Sequence, residues 1–73
     1  MIDVLLYAYF REGRGKKVSL DEKEFTTIQE VIDHLSIEAE GIGIILLNGF
    51  HKTPEAELQD GDIVALYPPV AGG

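Results

Sequence analysis

Few groups in this chain could do chemistry, and the one with the clearest setting is the carboxylate of Gly73. It closes the run Leu66-Tyr67-Pro68-Pro69-Val70-Ala71-Gly72-Gly73, which carries no charged side chain. Gly72 and Gly73 have no side chains, so a narrow channel in a partner can close around their backbone, and no Cβ crowds the Gly73 carbonyl. Pro68 and Pro69 each fix φ and lack an amide donor, so a strand containing Tyr67 must stop there. The residues that follow are expected to leave as a semi-extended tail. Holding each of them still costs about 1–2 kcal/mol of backbone entropy, which backbone contacts in a partner must offset. Taken alone, Gly-Gly also reads as a flexible end. The Pro-Pro-Val-Ala run and the strand before it favour a tail built to be threaded.

The remaining candidates read as structure. His34 and His51 are the only histidines and there is no cysteine, so no metal-ligand cluster is expected. Arg11, Arg14, Lys16 and Lys17 surround Gly13 and Gly15, but the spacing is not that of a phosphate-binding loop and a solvated hairpin tip is expected. Asp60 and Asp62 flank Gly61, where turn formation accounts for both acids. No Ser/His/Asp or Cys nucleophile arrangement is present, so the chain is not expected to be an enzyme by itself.

Seventy-three residues make one domain. A chain of this size buries only about 60% of its unfolded surface, so its 45% apolar content must enter one efficient core. No apolar run is long enough to span a membrane, and Met1-Ile2-Asp3 lacks the basic start of a signal peptide. A cytoplasmic location is expected. The formal charge of −7 argues against nucleic acid, whose phosphates need a basic face. It suits a basic patch on a protein partner, or solubility alone.

The elements that must carry the tail are legible as periodicities. Ile2, Val4, Leu6, Ala8 and Phe10 alternate with Asp3, Leu5, Tyr7, Tyr9 and Arg11, which predicts a strand from Ile2 to Phe10 whose second face is too apolar for plain solvent surface. A turn over Arg11 to Gly15 and a strand over Lys16 to Leu20 complete a hairpin. Thr27-Ile28-Gln29-Glu30 fits a capping box, and Ile28, Val31, Ile32 and Leu35 make one apolar helical face. Ile44 to Leu47 reads as a buried strand, Asn48-Gly49 as a tight turn with positive φ, and Pro54 to Leu58 as one helical turn. Asp60-Gly61 predicts a turn and Asp62 to Tyr67 the last strand. The order strand, strand, helix, strand, strand, with a helical crossover joining parallel strands, predicts an α+β fold of the ubiquitin-like β-grasp type. Its sheet is mixed and four- to five-stranded, with one main helix packed on one face. The domain is expected to span residues 1–68, with a flexible tail over 69–73.

Three segments carry a resemblance to a known family: Ile2-Asp3-Val4-Leu5-Leu6-Tyr7-Ala8 with Arg11-Glu12, the strand-turn Leu47-Asn48-Gly49, and Asp60 through Gly73. The chain resembles the small sulfur-carrier proteins of the MoaD and ThiS family, and its paired prolines before Gly-Gly are nearer the MoaD pattern. Its length is nearer that of ThiS-like chains. The resemblance implies that Gly73, presented by Gly72, is adenylated and converted to a thiocarboxylate that donates sulfur in molybdopterin biosynthesis. Alternatives are a ThiS-like carrier for thiamine thiazole or another pathway, a ubiquitin-like protein modifier, and a β-grasp interaction module. It implies two partners, an E1-like adenylating enzyme of the MoeB/ThiF type and a molybdopterin synthase large subunit of the MoaE type. No cofactor is expected on this chain; ATP and any zinc belong to the adenylating partner. Tyr7, Tyr67, Phe50, His51, Pro68, Pro69, Val70 and Ala71 are the expected partner-binding residues. Tyr7 and Tyr67 could also serve simply as a cross-strand pair.

Overall fold

The computed structural model describes residues 1–69. Val70, Ala71, Gly72 and Gly73, expected to belong to the tail, lie outside the described residues. Strands β1 (Ile2–Leu6), β2 (Lys17–Leu20), β3 (Ile44–Leu47), β4 (Phe50–His51) and β5 (Ile63–Tyr67) form a sheet in the order β2-β1-β5-β3-β4. β1 pairs antiparallel with β2 and parallel with β5, while β3 pairs antiparallel with both β5 and β4. The helix α1 (Ile28–His34) connects β2 to β3 and covers one face of this mixed sheet.

The core follows from alternation. Ile2, Val4 and Leu6 of β1 and Val64 and Leu66 of β5 are fully buried against Ile28, Val31 and Ile32 of α1. Each such side chain contributes about 1.5–3 kcal/mol on leaving water. Both ends of α1 are closed by local chemistry. Thr27 is its N-cap, its hydroxyl accepting from the Glu30 amide at 3.3 Å, while the Glu30 carboxylate reaches back to the Thr26 amide. At the other end Ser36 takes φ 60°, the Ile37 amide bonds the Ile32 carbonyl at 2.9 Å, and the Ser36 amide bonds that of Asp33 at 3.1 Å. This is a Schellman closure with serine where glycine is usual.

Three sequence expectations are corrected here. β1 stops at Leu6, because Ala8 adopts φ 54° and the chain enters a 3-10 turn over Ala8–Arg11. Phe10 still reaches the core, but from that turn, and Ala8 is exposed. Pro54 to Leu58 is not helical: the Pro54 and Ala56 carbonyls accept from the Gln29 and Ile28 amides at 2.8 and 3.1 Å. Those carbonyls satisfy the unpaired donors at the start of α1, so they are unavailable to a helical turn of their own. β3 is only partly buried, with Ile44 exposed, because only one of its faces meets the core. No helix among the described residues is long and apolar enough to cross a membrane.

Candidate functional site

The sheet face opposite α1 is the candidate site, and strand register assembles it. The pairings Leu5↔Ala65, Leu46↔Ala65 and Leu46↔His51 place those four residues in one row, with Lys17 beside Leu5 at one end. The next row holds Tyr7, Tyr67 and Ile44, since Leu6 pairs with Leu66 and Ile44 with Tyr67. The Tyr7 and Tyr67 rings stack with centroids 4.2 Å apart and planes 9° apart. Arg11 lies over the outer side of Tyr7, its guanidinium carbon 5.3 Å from the ring centroid, and its Nε donates to the Leu6 carbonyl at 2.7 Å. A cation is thereby held on an aromatic pair, a favourable arrangement of charge and ring quadrupole. The adjacent Tyr7 hydroxyl, as a side-chain hydrogen-bond partner, raises the pKa of Tyr67 above its ordinary value of 10.0, and desolvation adds to the shift. Ile63, 44% exposed, extends the apolar face toward the start of β5.

The β3–β4 turn is a lock that fixes the start of β5. Asn48 and Gly49 have φ of 52° and 87°, the pattern of a tight hairpin turn. The Asn48 side chain accepts from the Ile63 amide at 2.9 Å and donates to Asp62 at 3.0 Å, and Asp62 also accepts from the Gln59 amide at 2.8 Å. Asp62 is therefore a structural acid. Asp60 instead pairs with the Met1 amine, which Glu22 also contacts.

The expected site residues divide. Tyr7, Tyr67 and His51 share the outer face. Phe50, 71% exposed, pairs with Leu47, the register position that carries Val64 toward the helix, so it projects beyond the edge of the opposite side. Pro68 and Pro69 lie past the last pair of the β3–β5 ladder, next to Gly43. From sequence, Arg11 and Arg14 are expected in a solvated hairpin tip, and Gly43 carries no expected role. Arg14 instead donates to the carbonyls of Leu35 at 3.0 Å and Phe10 at 3.1 Å, tying the hairpin tip to the end of α1. The Leu35 contact spans 21 residues and has no short-range sequence signal. The signal for Gly43 was available, as a glycine entering a strand whose antiparallel neighbour ends in Pro-Pro.

A mixed five-stranded sheet clasping one helix defines a ubiquitin-like β-grasp domain. Residues 4–73 match the ThiS family, and the chain belongs to it. Over their full lengths and all of this chain, it is 30% identical to the molybdopterin synthase sulfur carrier subunit of Haemophilus influenzae and 31% identical to that of Escherichia coli. Among solved structures it is similar to a chain of the Amycolatopsis orientalis BexX/CysO complex, with a TM-score of 0.74, 25% identity and full coverage of both chains.

Proposed function

We propose that this chain is a sulfur carrier for molybdopterin biosynthesis, with the Gly73 carboxylate as its working group. The observation that supports this reading most is the full-length similarity to two molybdopterin synthase sulfur carrier subunits, one of them 31% identical. A carboxylate is a poor electrophile, so it is first activated. One Gly73 oxygen attacks the α-phosphorus of ATP on an E1-like adenylating enzyme, and pyrophosphate leaves. Donor sulfide then adds to the carbonyl carbon of the acyl adenylate and AMP leaves, which yields the thiocarboxylate. This chain supplies the tail and the docking face; the partner holds the ATP site and any metal.

The outer face fits the second half of the task, delivery to a synthase large subunit. Leu5, Tyr7, Ile44, Leu46, Ile63 and Tyr67 form a partly open apolar surface, and the strand that ends in Tyr67 runs directly into Pro68-Pro69. A partner seated on the tyrosines is therefore close to the point where the tail begins. Aromatic anchors of this kind dominate interface energetics when buried. The domain, residues 1–68, holds the face, and residues 69–73 reach the partner's interior.

The reading is tested by changing the end of the chain in a reconstituted sulfur-transfer assay. Removing Gly73, or adding one alanine after it, is expected to abolish transfer while leaving the melting temperature unchanged. Transfer by the extended chain at the normal rate would contradict the proposal.

A further inference from the structure

We propose that Gly43 is a positioning residue that sets the direction in which the C-terminal tail leaves the domain. The functional consequence rests on the sulfur-carrier reading above; the direction rests on geometry alone. The β3–β5 ladder ends with the pair Ile44↔Tyr67, and the Gly43 amide makes one more bond, to the Tyr67 carbonyl at 2.8 Å. Beyond Tyr67 neither proline has an amide to donate, so no ladder bond from Pro68 or Pro69 can hold the chain beside β3. Close approach of backbone to backbone takes over that role. A Cβ on Gly43 would stand 2.7 Å from the Pro69 Cα and 2.9 Å from the Pro68 carbonyl oxygen and the Pro69 nitrogen. Those are distances at which real Cβ atoms are essentially never found, and all three atoms are backbone rather than the ends of flexible side chains.

The contrast with the other described glycines isolates the cause. Gly13, Gly15, Gly49 and Gly61 have positive φ and nothing within 4 Å of a built Cβ, so conformation explains them. Gly41, two residues away, also meets nothing within 4 Å. Gly43 alone among them is required for space. Any side chain there must displace the Pro68-Pro69 backbone, and a tilt at the root of a tail grows toward its tip. A terminal carboxylate that must meet a fixed reaction centre is sensitive to this, since a misplacement of about 1 Å can cost on the order of 10²-fold in rate.

The first test needs no variant. In the isotopically labelled full chain, a strong nuclear Overhauser contact between the α-protons of Gly43 and Pro69 is expected; its absence overturns the proposal whatever the function. The second compares Gly43→Ala with Gly41→Ala. Gly43→Ala is expected to move the Pro68 and Pro69 resonances and to lower kcat/KM for thiocarboxylate formation about tenfold or more. The loss should show in kcat, because the variant alters where the carboxylate is placed. Gly41→Ala should change neither. Equal turnover and equal proline resonances in the two variants overturn the proposal. A wild-type chain that forms no thiocarboxylate would defeat the carrier reading, while the proton contact would still decide the tail geometry.

Discussion

On the helix side of β1 and β5, Ile2, Val4, Leu6, Val64 and Leu66 are fully buried; one residue along, on the other side, Leu5, Tyr7, Ile63 and Tyr67 remain partly or largely exposed. The two faces are built from the same strands and both carry apolar side chains, the open one alongside Asp3, Lys17 and His51. A small domain gains stability only from the face it closes, and here α1 closes one. The open face keeps an aromatic stack and aliphatic neighbours in water, where they add little to folding. Such a surface suits an interface. The difference separates the residues that make the fold from those proposed to make the contact, and substitution can separate them experimentally.

The largest effect is expected on the closed face. Leu66→Ala removes a fully buried side chain beneath α1 and should cost about 2–5 kcal/mol in a denaturant titration. A loss as small as that of a surface substitution would break the distinction between the faces. The mirror change is Tyr67→Lys on the open face. It should weaken binding to the proposed large subunit on the order of tenfold or more, measured by calorimetry, with a far smaller fall in melting temperature than Leu66→Ala. Matched losses of binding and stability would contradict the account. Ser36→Gly sharpens the comparison from the helix side. It relieves the φ of 60° at the end of α1 and should stabilise the domain by about 0.5–1 kcal/mol without altering partner affinity.

The smallest effect concerns neither face but the contact that joins the chain's first residue to the Asp60 turn. The hydrogen bonds that the Met1 amine donates to Asp60 and then Glu22 raise it from 8.0 to about 10, and the same amine lowers Asp60 below its ordinary 3.8. The raised amine contributes stability that is present below pH 8 and is lost as pH climbs through about 10. The lowered acid contributes stability that is present above 3.8 and is lost as pH falls further. Melting temperature should therefore hold between these limits and decline outside them, and Asp60→Asn should flatten the alkaline decline. An unchanged alkaline decline in Asp60→Asn would show that the contact does not contribute.

Much of the fold was legible because it depends on local periodicity. The alternation of β1 and β5, the apolar stripe of α1, the Thr27 cap and the Ile44 to Leu47 strand all follow from neighbours in sequence. What was not legible depends on partners distant in sequence or on backbone angles. Alternation through Ala8 and Phe10 could not reveal that Ala8 takes a positive φ and ends the strand. The role of Arg14 depends on a carbonyl 21 residues away. The Pro54 to Leu58 segment looked helical because its need to cap α1 is invisible locally. For the site, strand alternation put Tyr7 and Tyr67 on one face; Phe50 and His51 were expected together from the resemblance, and only the pairings Leu46↔His51 and Leu47↔Phe50 separate them by face.

The central claim is that Gly73 becomes a thiocarboxylate, and the absence of cysteine makes it directly measurable. The chain is incubated with its adenylating enzyme, ATP and a sulfur donor, treated with a thiol-alkylating reagent under mild conditions, and weighed intact and after fragmentation. The account predicts one covalent adduct per chain, located at Gly73 and dependent on ATP. No adduct from a demonstrably active adenylating enzyme would contradict it.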